Sequence, residues 1–200
     1  FLRCESRNHL QQVADICRHE GMPLRVIGGG SNLLIADQGV RGMVVDISKL
    51  KRVRVCGTRV AVEAGMKLTS LIASTARAGL QGLEGLAAIP GTLGGAIAMN
   101  AGGRYGEIGD VLERVVAITP QGELVQLEKK DIGLGYRSSQ LDGAIVVEAY
   151  IKLQHGDAEQ LVGAVRELSA KKLASQPYDK YSAGCTFRNP DGYKDSAGKL

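Results

Sequence analysis

No apolar stretch in this 200-residue chain approaches the roughly 18 residues needed to span a bilayer, and no signal-peptide pattern opens it. Strong charge is missing too. A net charge of +4 suits an anionic small molecule, but it is too small and too dispersed to indicate nucleic acid. The four cysteines, Cys4, Cys17, Cys56 and Cys185, form no Cys-x-x-Cys pair. Their spacing argues against zinc and against a disulfide scaffold, and suits a reducing cytoplasm. His9, His19 and His155 lack metal-ligand spacing, so no metal is expected. There is no internal repeat, no low-complexity tract and no initiator methionine. The chain opens on Phe1-Leu2-Arg3 as if inside a strand and ends on Gly198-Lys199-Leu200 without a stop signal, which reads as a fragment at both ends.

What the chain has is glycine, 27 residues of it, concentrated in loops. Seven glycines fall between Gly85 and Gly106, around Ile89-Pro90-Gly91-Thr92-Leu93-Gly94-Gly95-Ala96 and Asn100-Ala101-Gly102-Gly103. Such density weakens an ordinary helix or strand, and it removes the Cβ atoms that would hold a ligand off the backbone. A flat or phosphorylated ligand lying directly on the main chain is one reading, and a glycine-rich surface loop is the other. A second cluster, Gly28-Gly29-Gly30-Ser31-Asn32, follows the apolar run Leu24–Ile27. Successive N–H groups there can face one concavity and hold a pyrophosphate without a cation. It is not a Walker loop, because no Gly-Lys-Ser/Thr ends it. Nor is it the dinucleotide fingerprint, because Leu33 stands at the third glycine and Val40-Arg41-Gly42 interrupts any following helix.

Hydrophobic periodicity predicts a mixed α+β chain. Helices are expected over 8–20, with Leu10, Val13, Ile16 and Cys17 on one face, over 68–78, and from an Asp157 cap to Pro177. Strands are expected at 24–27, 43–47, 59–64 and 144–153, with a hairpin of 114–119 and 123–128 around Pro120-Gln121-Gly122. From Gln176 onward the composition turns basic and aromatic, which fits a solvated linker or the start of a second unit.

Five motifs then occur in a telling order: Gly28–Asn32, Ile89–Ala96, Asn100–Gly106, Gly135-Tyr136-Arg137-Ser138-Ser139 and Ser182-Ala183-Gly184-Cys185-Thr186-Phe187-Arg188-Asn189-Pro190. Across essentially the whole chain they resemble the UDP-N-acetylenolpyruvoylglucosamine reductase family, flavoenzymes that complete UDP-N-acetylmuramate in bacterial cell-wall synthesis. The glycine motifs are shared with the wider vanillyl-alcohol-oxidase-like superfamily, whereas Tyr136-Arg137-x-Ser139 and Gly184-Cys185-Thr186-Phe187 distinguish the reductase.

The resemblance implies an FAD-binding PCMH-type fold of two α+β subdomains over residues 1–154, with their boundary near 52. Residues 155–200 would be a connecting helix and the beginning of a truncated substrate-binding domain. It implies non-covalent FAD held by Gly28, Gly29, Gly30, Ser31, Asn32 and Leu33 at the pyrophosphate. Ile89, Pro90, Gly91, Thr92, Gly94, Gly95, Ala96 and Asn100 would line the flavin. NADPH is the implied hydride source and UDP-N-acetylglucosamine enolpyruvate the substrate, with Tyr136, Arg137 and Cys185 in contact with it. Arg137 would hold the charge that develops on the substrate carboxylate, and Cys185 would give the final proton. The implied protein is a cytoplasmic monomer.

The chain departs from the family pattern in three places. Cys185 stands where serine is usual, Ala88 stands where many members carry glycine, and the C-terminal region with a catalytic glutamate is absent. Two other functions remain open at this level: a different flavin oxidase or dehydrogenase of the superfamily, and a flavin-binding module without catalysis. The first often tethers its flavin through histidine, and no histidine here lies in a glycine motif.

Overall fold

A computed structural model describes residues 1–175, 187–190, 192 and 197. The elements run β1 (Leu2–Arg3), α1 (Arg7–His19), β2 (Leu24–Ile27), β3 (Met43–Asp46), β4 (Val53–Cys56), β5 (Arg59–Glu63), α2 (Leu68–Arg77), β6 (Leu80–Gln81), α3 (Leu93–Ala98), β7 (Gly102–Gly103) and β8 (Gly106–Glu107). They continue with α4 (Ile108–Val111), β9 (Leu112–Ile118), β10 (Leu124–Glu128), β11 (Ile145–Lys152), β12 (Gln154–His155) and α5 (Ala158–Ser175).

Residues up to Asp46 build a parallel three-stranded sheet of order β1-β3-β2. Helix α1 starts at Ser6, whose hydroxyl accepts from the His9 N–H at 3.1 Å. It buries Leu10, Val13, Ala14 and Cys17, the i, i+3, i+4, i+7 stripe of an amphipathic helix. Ile16, expected on that face, is exposed instead; Ala14 takes the inward position.

From Val53 onward an antiparallel five-stranded sheet of order β10-β9-β11-β5-β4 forms the larger half. One face carries Val60, Val62, Val115, Ala117, Ala149 and Ile151, all buried, and α3 packs on β5 and β11. The opposite face is polar. Arg114 stacks on the Tyr150 ring at 4.0 Å, the Tyr150 hydroxyl donates to Glu148 at 3.1 Å, and Arg54 pairs with Glu148. Helices α2 and α5 pack together; α5 is capped as expected, with the Gln160 N–H donating to the Asp157 carboxylate at 2.8 Å.

Two further features differ from the sequence expectation. Strand β4, with only its alternating valines as a signal, was not anticipated. The glycine stretch that should defeat regular structure contains α3 and the β7–β8 pair. Gly94 shows why. A Cβ there would stand 2.9 Å from the Ala64 Cβ and 3.2 Å from the Ala64 carbonyl oxygen, while the Gly94 N–H donates to that carbonyl at 2.8 Å. The close approach of α3 to the sheet offsets a propensity cost of about 1 kcal/mol.

Candidate flavin and substrate site

The two glycine loops, some sixty residues apart in sequence, lie against one another. A Cβ on Gly28 would overlap the Thr92 hydroxyl, one on Gly29 would stand 3.1 Å from the Gly91 Cα, and one on Gly91 would stand 2.8 Å from the Ser31 hydroxyl. Gly28, Gly29 and Gly91 are therefore glycine so that the loops can touch. The second loop is tied from behind: the Leu68 N–H donates to the Gly91 carbonyl at 3.0 Å, and the Leu93 N–H to the Met66 carbonyl at 2.9 Å. Thr92 is buried.

Gly30 and Gly95 differ. Nothing lies within 4 Å of a Cβ at Gly30, and at Gly95 only the Thr92 hydroxyl does, at 3.7 Å. Both residues are exposed. They leave bare backbone at the joined loops, one from each half of the molecule. That surface fits a cofactor laid on the main chain. Asn32, Leu33 and their neighbours through Gly42 form an exposed loop with no helix. Pro90 is exposed, Ile89 is half-buried against the core and Ala96 is buried. Asn100 is buried, with both ends of its amide hydrogen-bonded within the protein.

Four non-glycine residues among those described have positive φ: Ala88 (60°), Asn100 (38°), Arg137 (53°) and Asp142 (47°). Asn100 and Arg137 sit in the motifs singled out above, and Ala88 immediately precedes Ile89–Ala96. Left-handed backbone costs an ordinary L-residue roughly 1–2 kcal/mol, and such strain gathers at functional sites. Arg137 lies in a tight turn closed in both directions, Gly135 N–H to Ser138 carbonyl at 3.0 Å and Ser138 N–H to Gly135 carbonyl at 3.3 Å. Its guanidinium lies 5.6 Å from the centre of the Tyr136 ring, and Tyr136 is itself exposed.

Sequence reasoning missed Lys172. Its ammonium reaches from α5 to the Ala87 carbonyl at 3.2 Å, immediately before the strained Ala88 and the Ile89-Pro90 loop. Burial, and then the nearby Arg137 guanidinium, holds it below the usual lysine range. Lys172 thus ties α5 to the segment that leads into the second glycine loop. Nothing in the sequence sets Lys172 apart from Lys171, which pairs with Glu167 on the surface. Cys185 lies outside the described residues.

A separate cleft of about 220 Å³ beside the start of α1 is lined by Arg7, Arg52, Arg54, Glu63 and Glu148. Glu63 and Glu148 there pair with Arg52 and Arg54, and Arg7 adds a third cation to the lining. Among the described residues no group of histidine, cysteine, aspartate or glutamate could hold a metal ion, and no helix is long and apolar enough to cross a membrane.

A family described as the FAD binding domain matches residues 1–128. UDP-N-acetylenolpyruvoylglucosamine reductase of Clostridium tetani is 37% identical over 191 residues, covering 94% of this chain and 62% of that protein. The chain thus spans less than two thirds of the length of the curated relatives it matches. The crystal structure of UDP-N-acetylenolpyruvylglucosamine reductase from Thermus caldophilus is similar with a TM-score of 0.85 and 38% identity, over 99% of this chain and 70% of that one. A glucose dehydrogenase, Phl p 4.0202, shares the fold at a TM-score of 0.63 and 22% identity, over 78% of this chain and 35% of its own. With its glycine loops joined and its Tyr136-Arg137 turn tied to the end of α3, this chain belongs to the FAD-binding domain family and, within it, to the UDP-N-acetylenolpyruvoylglucosamine reductases.

Proposed function

We propose that this chain is the FAD-binding part of a reductase that converts UDP-N-acetylglucosamine enolpyruvate to UDP-N-acetylmuramate, with NADPH as reductant, in peptidoglycan precursor synthesis. The observation that carries the reading is Arg137, held in left-handed backbone in a turn fastened to the end of α3, the helix that starts in the second glycine loop. Gly30 and Gly95 leave the backbone on which the cofactor would rest, and Ser31 and Thr92 border it. When bound, FAD supplies hydride transfer from the nicotinamide to the enolpyruvyl methylene carbon.

The protein's own groups manage charge and protons. Hydride addition leaves negative charge on the adjacent carbon, spread into its carboxylate. Arg137 is permanently charged and can grip that carboxylate through two parallel N–H bonds. Tyr136 packs beside the bound sugar nucleotide. Cys185, whose unperturbed thiol pKa of about 8.5 keeps it largely protonated at neutral pH, donates a proton to the carbanionic carbon and completes the saturated lactyl ether. A monomeric state and a cytoplasmic location go with this reading, as the likeness to the reductases implies.

The test is reconstitution with FAD, anaerobic photoreduction, and addition of the enolpyruvyl substrate. The yellow band should return with the parent. With Arg137→Lys it should return about 10² to 10³ more slowly, since an ammonium keeps the charge but not the fork. A parent that binds no FAD would overturn the whole reading; a Lys variant at the parental rate would remove Arg137 from it.

A further inference from the structure

Asn100 is only 1% exposed, and both ends of its amide are used. Nδ2 donates to the Gly135 carbonyl at 3.1 Å, and Oδ1 accepts from the Gly109 N–H at 3.1 Å. Gly109 has to be glycine for this: a Cβ there would stand 2.9 Å from the Asn100 Oδ1 and 2.9 Å from the Leu134 side chain. The left-handed backbone at Asn100 is one that asparagine adopts more readily than most residues.

The acceptor is the informative partner. Gly135 is the residue whose N–H and C=O both close the turn beneath Arg137, so its carbonyl accepts from Ser138 and from Asn100 together. A second tie lies next to it, where the Ser139 hydroxyl donates to the Ala98 carbonyl at 2.8 Å, one of the last carbonyls of α3. Helix α3 carries Gly95 near its start and Ala98 at its end. It is therefore a short rigid spacer with the bare glycine surface at one end and the Arg137 turn fastened at the other.

We propose that Asn100 is a positioning residue for Arg137: its amide fastens the Gly135–Ser138 turn to the end of α3 and so sets where the guanidinium stands relative to the cofactor surface. The inference rests on the role given to Arg137 above. It requires a short side chain with a donor and an acceptor at a positive-φ position, which asparagine supplies and aspartate does not. A carboxylate could still accept from Gly109, but it would set one oxygen against another at Gly135. Asn100 thus acts on the substrate step through Arg137, whereas a contact to the cofactor would act on FAD affinity.

The experiment uses the FAD-loaded chain and the variants Asn100→Asp, Asn100→Gly, Arg137→Ala and the two doubles. Asn100→Gly keeps the backbone freedom while removing both hydrogen bonds, and the flavin band reports that each variant is folded. Hydrogen exchange of the Gly135 and Ser138 amides should quicken at least about tenfold in both Asn100 variants, as expected for a turn opening locally. FAD affinity should stay within about threefold. Reoxidation of reduced flavin by the enolpyruvyl substrate should slow by about 10- to 100-fold, with kcat falling more than KM, as for an interaction made in the transition state. In the Arg137→Ala background the same changes should add less than about twofold.

Unchanged exchange would overturn the clamp. A loss of FAD affinity equal to the loss of rate would make Asn100 a cofactor contact instead. Full additivity with Arg137→Ala would show that it acts independently. If Arg137→Ala alone reacts at the parental rate while exchange responds to Asn100, the role of Arg137 falls and the fastening of the turn stands.

Discussion

Gly29 and Gly95 belong to adjoining loops, yet a side chain added at each meets different surroundings. At Gly29 it would press on the Gly91 backbone, 3.1 Å away, and neither loop has a flexible atom there to give way. At Gly95 it would enter open space on the exposed side of α3. Valine at 95 is also a somewhat better helix residue than glycine. Gly95→Val should therefore leave the melting temperature of the FAD-free protein unchanged or slightly raised while cutting FAD affinity at least about tenfold. Gly29→Val should lower both. Thermal melts without cofactor, paired with FAD titration, separate the two, and undiminished FAD affinity in Gly95→Val would remove that surface from the cofactor site. The strained residues follow a similar logic. Ala88 and Arg137 hold left-handed backbone without the freedom of glycine.

Among the elements, the three-stranded sheet depends on one carboxylate. Asp46 ends β3 in register with Arg3 of β1, accepts from the Arg3 Nε at 2.8 Å, and accepts from the Ser48 N–H at 2.8 Å. Burial pushes its pKa upward, but the hydrogen bonds from Ser48 and the Arg3 guanidinium outweigh it and hold the carboxyl below the usual aspartate value. A carboxyl that titrates lower when folded contributes stability that is full above the unfolded aspartate pKa of about 3.9. That contribution is lost as pH falls through the lower folded value. Asp46→Asn should cost about 1–2 kcal/mol at neutral pH, the lower part of the range for charge-assisted bonds because Arg3 is half exposed. The gap between parent and variant should close on acidification below about pH 4. Denaturant melts across pH 2–7 test this, and a constant gap would show that the carboxylate's charge is not what matters.

At the scale of the whole molecule, the proposed site draws on separate regions: Gly28–Ser31 follow the first sheet, Gly91–Gly95 lie against them, the end of α3 holds the Arg137 turn, and α5 sends Lys172 to the Ala87 carbonyl. Cys185 is the remaining proposed participant, and its role is argued from its motif. Cys185→Ser should keep substantial turnover, because a hydroxyl can still donate. Cys185→Ala should leave FAD binding and NADPH oxidation intact while slowing substrate reduction about 10² to 10⁴-fold, the usual worth of a general acid. Stopped-flow measurement of the two half-reactions distinguishes these, and an alanine variant at the parental rate would make Cys185 a packing residue.

Much of this was legible in the sequence, because the signals were local. The apolar stripe of α1, the alternation in β11, the Asp157 cap and the glycine runs are short-range patterns set by backbone geometry and the period of each element. The motif order then marked out Gly28, Gly95 and Arg137. Tertiary structure decided what local pattern could not. It put helix α3 through Gly94 and Gly95, because contact with Ala64 outweighs propensity. It divided the glycines into those that join two loops and those that leave the backbone bare, which depends on a partner sixty residues away. It also turned Asn100 inward and drew Lys172 to the Ala87 carbonyl. A hydrogen bond needs its two groups within about 3 Å, and for residues 35 or 85 positions apart only the folded chain brings them to that distance.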